Sequence, residues 1–465
     1  MVRIGIGLGS SVRENAVANL GALLFSESLV SRGLDGRAVA GLVSGWQWED
    51  GGETLRLQLK PNVRLHDGAL LTAEMVADII RRSRLTSSLG FEYVTGVVAP
   101  DPRSIVVSLS RPDFFLLPEL TVLKIVRPEA PDIGTGPFKI TAKEPAFQTV
   151  VFDRYHGGTP GVTGVTIVPY DTQRGAWAGL MRDEVDAVQE VSRETVEFVD
   201  SSHNVQTYPS LQPYYIPLLF NHHHPALARR DVRRALNEAV DRDAILDAAM
   251  RGHGRVANDP IWPFHWAYPS AGMRHAYDPV GARRRLDLAG LRLPGSAARD
   301  GTRTRLTLRC LFWSEDAQYE RIALILQRQL FDVGINLVLT PADMTTIAQR
   351  VQSGNFDTAL IRVNAGRSLD YTYRFWHTKR PESLVRGYPG VDRLLEDLRS
   401  STDDGRTRSA IAALVQRFYE DAPAIFIAWA QVTRAIDRQF SVGEFNSQDP
   451  LASIWQWRPV AGKPQ

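Results

Sequence analysis

The chain has 465 residues, 44% hydrophobic and 23% charged, with a formal net charge of +2. That length has room for two or three domains with sizeable cores, and the near-neutral balance leaves no electrostatic footprint for nucleic acid and no basic block for an anionic membrane surface. One cysteine, Cys310, excludes an intramolecular disulfide, and no run reaches the roughly 18 consecutive apolar residues of a membrane-spanning helix.

The opening Val2-Arg3-Ile4-Gly5-Ile6 reads as a strand. Gly5, Gly7 and Gly9 follow it as GxGxG, but the third glycine is misplaced for a dinucleotide loop. Asn19 to Val30 reads as a helix with Leu20, Leu23, Leu24 and Leu29 turned inward. Leu55, Leu57 and Leu59 then alternate with Arg56, Gln58 and Lys60 as a strand; Pro61-Asn62 turns the chain, Val63 and Leu65 resume the alternation, and Asp67-Gly68 turns it again. Thr72 starts a helix with the stripe Met75, Val76, Ile79 and Ile80. Ser104–Leu109 is a further strand, and Gly134-Thr135-Gly136-Pro137 is a tight turn into another at Phe138.

Strand, helix (Gln173–Met181) and strand across 162–191 form a βαβ-like unit of an α/β lobe. Ile216–Phe220 reads as a short apolar strand ending at Asn221, and residues 231–242 as one helix with apolar positions 232, 235, 236, 239 and 240. Helix 280–289 precedes strand Arg305–Phe312, helix 317–333, strand 335–340, helix 345–352 and a strand after Phe356-Asp357. Cys310, inside a strand, is expected as a buried structural thiol.

Several of these stretches carry a family resemblance. Residues 59–76, L-K-P-N-V-R-L-H-D-G-A-L-L-T-A-E-M-V, are similar to the signature of the family 5 extracellular solute-binding proteins, receptors of ABC importers. Phe25–Leu29, Gly41–Trp46, Gly134–Lys139, residues 231–242, Tyr277-Asp278-Pro279, Gly354–Leu360 and Asp421–Phe426 resemble the family's other runs in the family's order. The resemblance implies an α/β, two-lobed periplasmic-binding-protein-like fold (type II, cluster C) with an extra small α+β domain inserted in the first lobe. The expected division is 1–33, 134–221 and 428–465 for lobe I, 34–133 for the inserted domain and 222–427 for lobe II. It further implies a monomeric receptor that passes a peptide-like, opine-like or metal-chelate solute to permease and ATPase subunits. Such a receptor works in the periplasm or at the cell exterior; the start directly in a strand, with no secretion signal, suits a processed form, or alternatively a cytoplasmic ligand sensor.

Catalytic motifs are missing: the sequence contains no GxSxG, HExxH, CxxC or phosphate loop, so neither an enzyme nor a cofactor is expected. His222-His223-His224 is the one metal-like cluster, but adjacent histidines in an extended segment point to opposite faces, and a solvated loop is expected. Ligand contacts are expected past strand ends, from Trp313 and Ser314 and from Arg362, Asn364, Arg367, Asp370 and Tyr371, with Tyr215 beside them. Tyr214, Trp376 and the loop Ser10–Asn15 are further candidates. Peptide receptors of the resembled family place an aspartate after the F-D-x-x-L strand for the ligand's amine; Asn364 and Arg367 stand in that neighbourhood here, with Asp370 as the remaining acid. Trp313 falls where dipeptide receptors place an arginine for the ligand carboxylate. These departures speak against a free dipeptide, and Arg362 or Arg367 would suit a carboxylate or phosphate.

Overall fold

The computed structural model describes residues 1–7, 17, 20–84, 89–144, 149–154, 161–270, 272–293, 304–379, 387–443 and 449–460. Within these, the chain forms two compact units, Met1–Leu211 with Gln431–Gln465, and Gln212–Ala430. The expected loop Ser10–Asn15 lies outside the described residues.

In unit 1, Val2–Gly7 runs parallel to Gly164–Tyr170 on one side, with Ile4 opposite Ile167, and to Ala187–Val191 on the other. The helix Gln173–Met181 connects those two neighbours; the Thr172 hydroxyl caps it by accepting from the Gly175 amide at 3.0 Å. Among the described residues of the stretch expected as one helix from 19 to 30, only 20–25 are helical. Val30–Arg32 is instead a strand paired with Ala38–Ala40, which holds Leu29 and Val30 in a different core, and Leu23 faces solvent.

The signature stretch builds a four-stranded antiparallel sheet in the order Val43–Glu49, Thr54–Leu59, Ser104–Leu109, Val94–Asp101. Leu55, Leu57, Ile105 and Val107 are fully buried there with Val76 and Ile80 of the helix Ala73–Arg84. Val63 and Leu65 do not extend the sheet; an isolated bridge between Arg64 and Leu70 closes this turn.

His66, in the H-D-G of the signature, joins it to the G-T-G-P turn. The Gly134 amide donates to its Nδ1 at 3.2 Å, and its Nε2 lies 3.0 Å from the Gly136 carbonyl, a pairing that suits a neutral ring with the proton on Nε2. Burial lowers the pKa of this histidine accordingly. The two glycines are required by close approach: a Cβ on Gly134 would sit 2.0 Å from the Phe25 carbonyl oxygen, and one on Gly136 2.5 Å from that of Leu24. The motif is thus a joint between backbones.

In unit 2, Leu306–Trp313 lies between two parallel partners, Ile335–Ala342 and Thr358–Leu360. Thr358–Leu360 pairs antiparallel with the far end of Val205–Phe220, a strand much longer than the 216–220 segment expected. Pro209, Pro213 and Pro217 interrupt its sequence pattern, yet the Pro213 carbonyl accepts from the Ala365 amide at 2.8 Å, a bond that needs no proline donor. Cys310 is fully buried, and burial pushes its thiol up to about 12, as befits a core residue.

The expected helix 231–242 is two helices, Arg230–Glu238 and Arg242–Met250, because Asp241 caps the second by accepting from the Ala244 amide at 3.0 Å. Its arginines are latches. Arg233 donates to the carbonyls of Leu227 and Ala228 at 3.0 and 2.9 Å and to that of Asp421 at 2.7 Å. Arg242 donates to the Phe426 carbonyl and to Asn237 Oδ1, both at 2.7 Å, while Asn237 reaches the Ala424 carbonyl at 3.2 Å. Two segments that resembled family runs, 231–242 and 421–426, therefore hold each other.

Candidate functional site

The parallel strands of unit 2 end together at Trp313, Ala342 and Leu360, and the expected ligand residues gather just beyond them. This is the edge where open α/β sheets place their ligands. Arg362 is exposed there, its guanidinium carbon 5.1 Å from the Tyr214 ring centroid and 5.7 Å from that of Trp313. Trp313 is held by an edge-on contact with Tyr319 at 5.3 Å and donates from its indole nitrogen to Glu315 at 3.3 Å. Ser314 is exposed beside it, its amide donating to the Ala342 carbonyl at 3.1 Å.

Past Val363-Asn364 the chain makes a tight turn. Asn364 Oδ1 accepts from the Gly366 amide at 2.9 Å, and both Gly366 and Leu369 have positive φ, +64° and +66°. Leucine is rare in that region, so the turn stores strain before the helix Asp370–Trp376. Asp370 is 7% exposed and accepts from the Ser368 hydroxyl at 2.6 Å; Tyr371 is 40% exposed. Arg367 lies 5.7 Å over the buried Trp262.

The structure corrects the position expected for Tyr215. It is fully buried, its hydroxyl accepting from the Trp376 indole at 3.0 Å and its ring packed on Phe426 and Trp429. Alternation along the strand turns its neighbour Tyr214, opposite Asn364, to the face where Arg362 lies. Trp376, buried with Tyr215, is likewise part of the core.

Sequence reasoning passed over the stretch Asp259–Tyr268. Trp262, Phe264 and Trp266 each carry an arginine over the ring, Arg367, Arg255 and Arg408 respectively, at 5.7, 5.3 and 5.1 Å. The spacing of the three aromatics was the available signal. Asp259, at the start of this stretch, is buried, accepts from the Tyr268 hydroxyl at 2.5 Å and from the Ile261 amide at 2.8 Å, and burial pushes its carboxyl up to about 6.

The triple histidine is only partly the solvated loop expected. His222 is half-buried against the Tyr388 ring, centroids 4.8 Å apart, and burial with the Arg233 charge pushes it down to about 3. His224 Nδ1 accepts from the Ala226 amide at 3.3 Å. Among the described residues, no group of three or more His, Cys, Asp or Glu side chains is placed to hold a metal ion.

Comparison with known proteins places the chain. Residues 37–382 match the family described as bacterial extracellular solute-binding proteins, family 5. The chain belongs to this family. Its members bind small solutes and work with the permease and ATPase subunits of ABC importers, and they have a two-lobed periplasmic-binding-protein fold. One relative, the "Probable D,D-dipeptide-binding periplasmic protein DdpA" of Escherichia coli (strain K12), is 23% identical over 442 residues, covering 87% of this chain and 82% of its own. Among solved structures, NikZ from Campylobacter jejuni in complex with Ni(L-His) is similar with a TM-score of 0.81 at 19% identity, over 98% of this chain and 99% of that one. AgaA from A. tumefaciens R10, in complex with agropinic acid, gives 0.76 at 18% identity over 99% of each chain. Among the described residues, no helix is long and apolar enough to cross a membrane.

Proposed function

We propose that this chain is the solute receptor of an ABC importer, acting outside the cytoplasmic membrane as a monomer and without catalysis. The solute is a small polar organic molecule that presents a carboxylate to unit 2. The observation that carries the ligand class is Arg362. Its guanidinium stands between Tyr214 and Trp313, and no acidic side chain pairs with it among the described residues. Ring faces orient the planar group and leave its N–H edge for a bidentate anion.

Carboxylate solutes include opines and acidic chelates as well as peptides, in keeping with the ligands named for the relatives. Asp370 disfavours a free dipeptide as the preferred ligand, because its carboxylate is buried within the turn, where Oδ1 accepts from the Ser368 hydroxyl. The lobe boundaries expected from the sequence, with the inserted domain at 34–133 and lobe II at 222–427, remain part of this proposal.

Thermal unfolding against opines, dicarboxylates, dipeptides, histidine–nickel chelates and neutral sugars tests it. A ligand at 100 times its Kd stabilises the native state by about 2.7 kcal/mol, a rise of a few degrees for a chain of this size. Acidic solutes should raise the midpoint, and Arg362→Ala should abolish the rise. A response to neutral sugars alone, or one that survives Arg362→Ala, overturns the assignment.

A further inference from the structure

In unit 2 the segment 272–278 is neither helix nor strand, and each of its residues is exposed except His275, which is 7% exposed. The His275 ring stacks on that of Tyr419, centroids 4.5 Å apart, and one ring nitrogen is bonded to the Tyr419 main chain. The other, Nε2, is sealed from solvent and meets no hydrogen-bond partner among the described residues. A second polar atom is in the same state: Nε of Arg234, on the helix Arg230–Glu238, whose charge reaches His275.

The place of Arg234 on its helix explains why it lacks a partner. Glu238 stands four residues on and Asp231 three back, the spacings at which helical side chains meet. Arg285, on the helix Pro279–Leu288, takes both acids: it donates to the two Glu238 carboxylate oxygens at 3.0 and 2.9 Å and lies 3.9 Å from Asp231. Arg234 is left with no hydrogen bond or ion pair among the described residues. Arg242 also faces His275, but its donors go to carbonyls and to Asn237 Oδ1, and Arg274 of the segment itself pairs with Asp243. Three guanidinium groups, those of Arg234, Arg242 and Arg285, thus act on one buried imidazole, and the carboxylates beside them answer Arg285. Positive charge with an unused buried donor is the complement of a small anion.

We propose that Arg234 and His275 form a binding site for a small oxyanion of the sulfate or phosphate type, held between the Arg234 Nε edge and Nε2 of a protonated His275. Without an anion the ring is neutral, because burial first and the guanidinium charges second push it down to about 4. An anion reverses that balance of charge, so binding takes up one proton from solvent at Nε2. The inference uses none of the residues around Arg362 and stands or falls separately from that assignment.

Isothermal titration of the full chain with sodium sulfate, at constant ionic strength in chloride, tests it. Proton uptake couples affinity to pH, so sulfate should bind about tenfold more tightly at pH 5 than at pH 7. Arg234→Met should weaken binding at pH 5 by about tenfold or more, and His275→Phe, which keeps a ring on Tyr419, should remove the pH dependence. Arg362→Ala should leave both results as they are, which separates this site from the one at Arg362. Failure of sulfate to bind at millimolar concentration at pH 5 overturns the proposal. An affinity equal at the two pH values in the unaltered chain, or one untouched by Arg234→Met, overturns it as well.

Discussion

Arg233 and Arg242, each 3% exposed, direct their donors at main-chain carbonyls around 227–228 and 421–426, whereas Arg362 stands in the open between two aromatic rings. All three belong to unit 2 and all three are permanently charged. The difference is in what surrounds the guanidinium. Carbonyl oxygens that have lost water need donors, so the buried arginines serve as structural cross-links. Rings offer only their faces, so the exposed arginine keeps its hydrogen-bonding edge for something that arrives from solution.

The comparison can be broken most directly at Arg242. Arg242→Met strands the Phe426 carbonyl and Asn237 Oδ1 and should cost about 3–5 kcal/mol by urea unfolding; a loss below about 1 kcal/mol would mean the latch is ornamental.

Acidification sharpens it next, because the buried arginines leave no room for a second charge. Burial is the main cause that pushes His222 to about 3, with Arg233 beside it, and His275 to about 4, with Arg242 and Arg234 beside it. A histidine whose folded pKa lies below its unfolded value of about 6.5 binds fewer protons when folded, so its contribution is whole above that value and drains away as the pH falls toward the folded pKa. Going to pH 5 should therefore remove about 2 kcal/mol for each histidine. Asp259, raised to about 6, opposes this below pH 6 by about 1.4 kcal/mol. Stability measured at pH 5 should be about 2–3 kcal/mol lower than at pH 7, and a gain on acidification would contradict the assigned charges.

The smallest effect on folding belongs to Arg362. Arg362→Ala should change unfolding stability by no more than about 0.5 kcal/mol while removing ligand affinity by about tenfold or more. Arg362→Lys keeps the charge but loses the planar edge, and should recover only part of the binding.

Much of this molecule was legible in one sequence. Alternation at Leu55–Leu59 and the stripe Val76–Ile80 set a strand and a helix because burial of one face selects those periods. The ordered family runs pointed to the correct family and fold, and strand ends pointed to Trp313 and Arg362, which the fold does bring together. Other features depended on partners far along the chain. Whether Tyr214 or Tyr215 faces outward depends on the register with Val363-Asn364, and a step of one residue exchanges the faces. The 231–242 stripe runs unbroken through the capped break at Asp241, since apolar spacing records burial and not helix ends.

By itself, then, the sequence carried the ordered motifs by which it resembles its family, and the alternation and stripes that mark positions to be buried, because burial of one face sets those periods. Only the tertiary structure decided which glycines touch another backbone, which carbonyl faces the His66 ring and which arginine stands against two aromatic rings. Those properties belong to pairs of groups such as Gly134 and Phe25, His66 and Gly136, or Arg242 and Phe426, whose meeting no local pattern encodes.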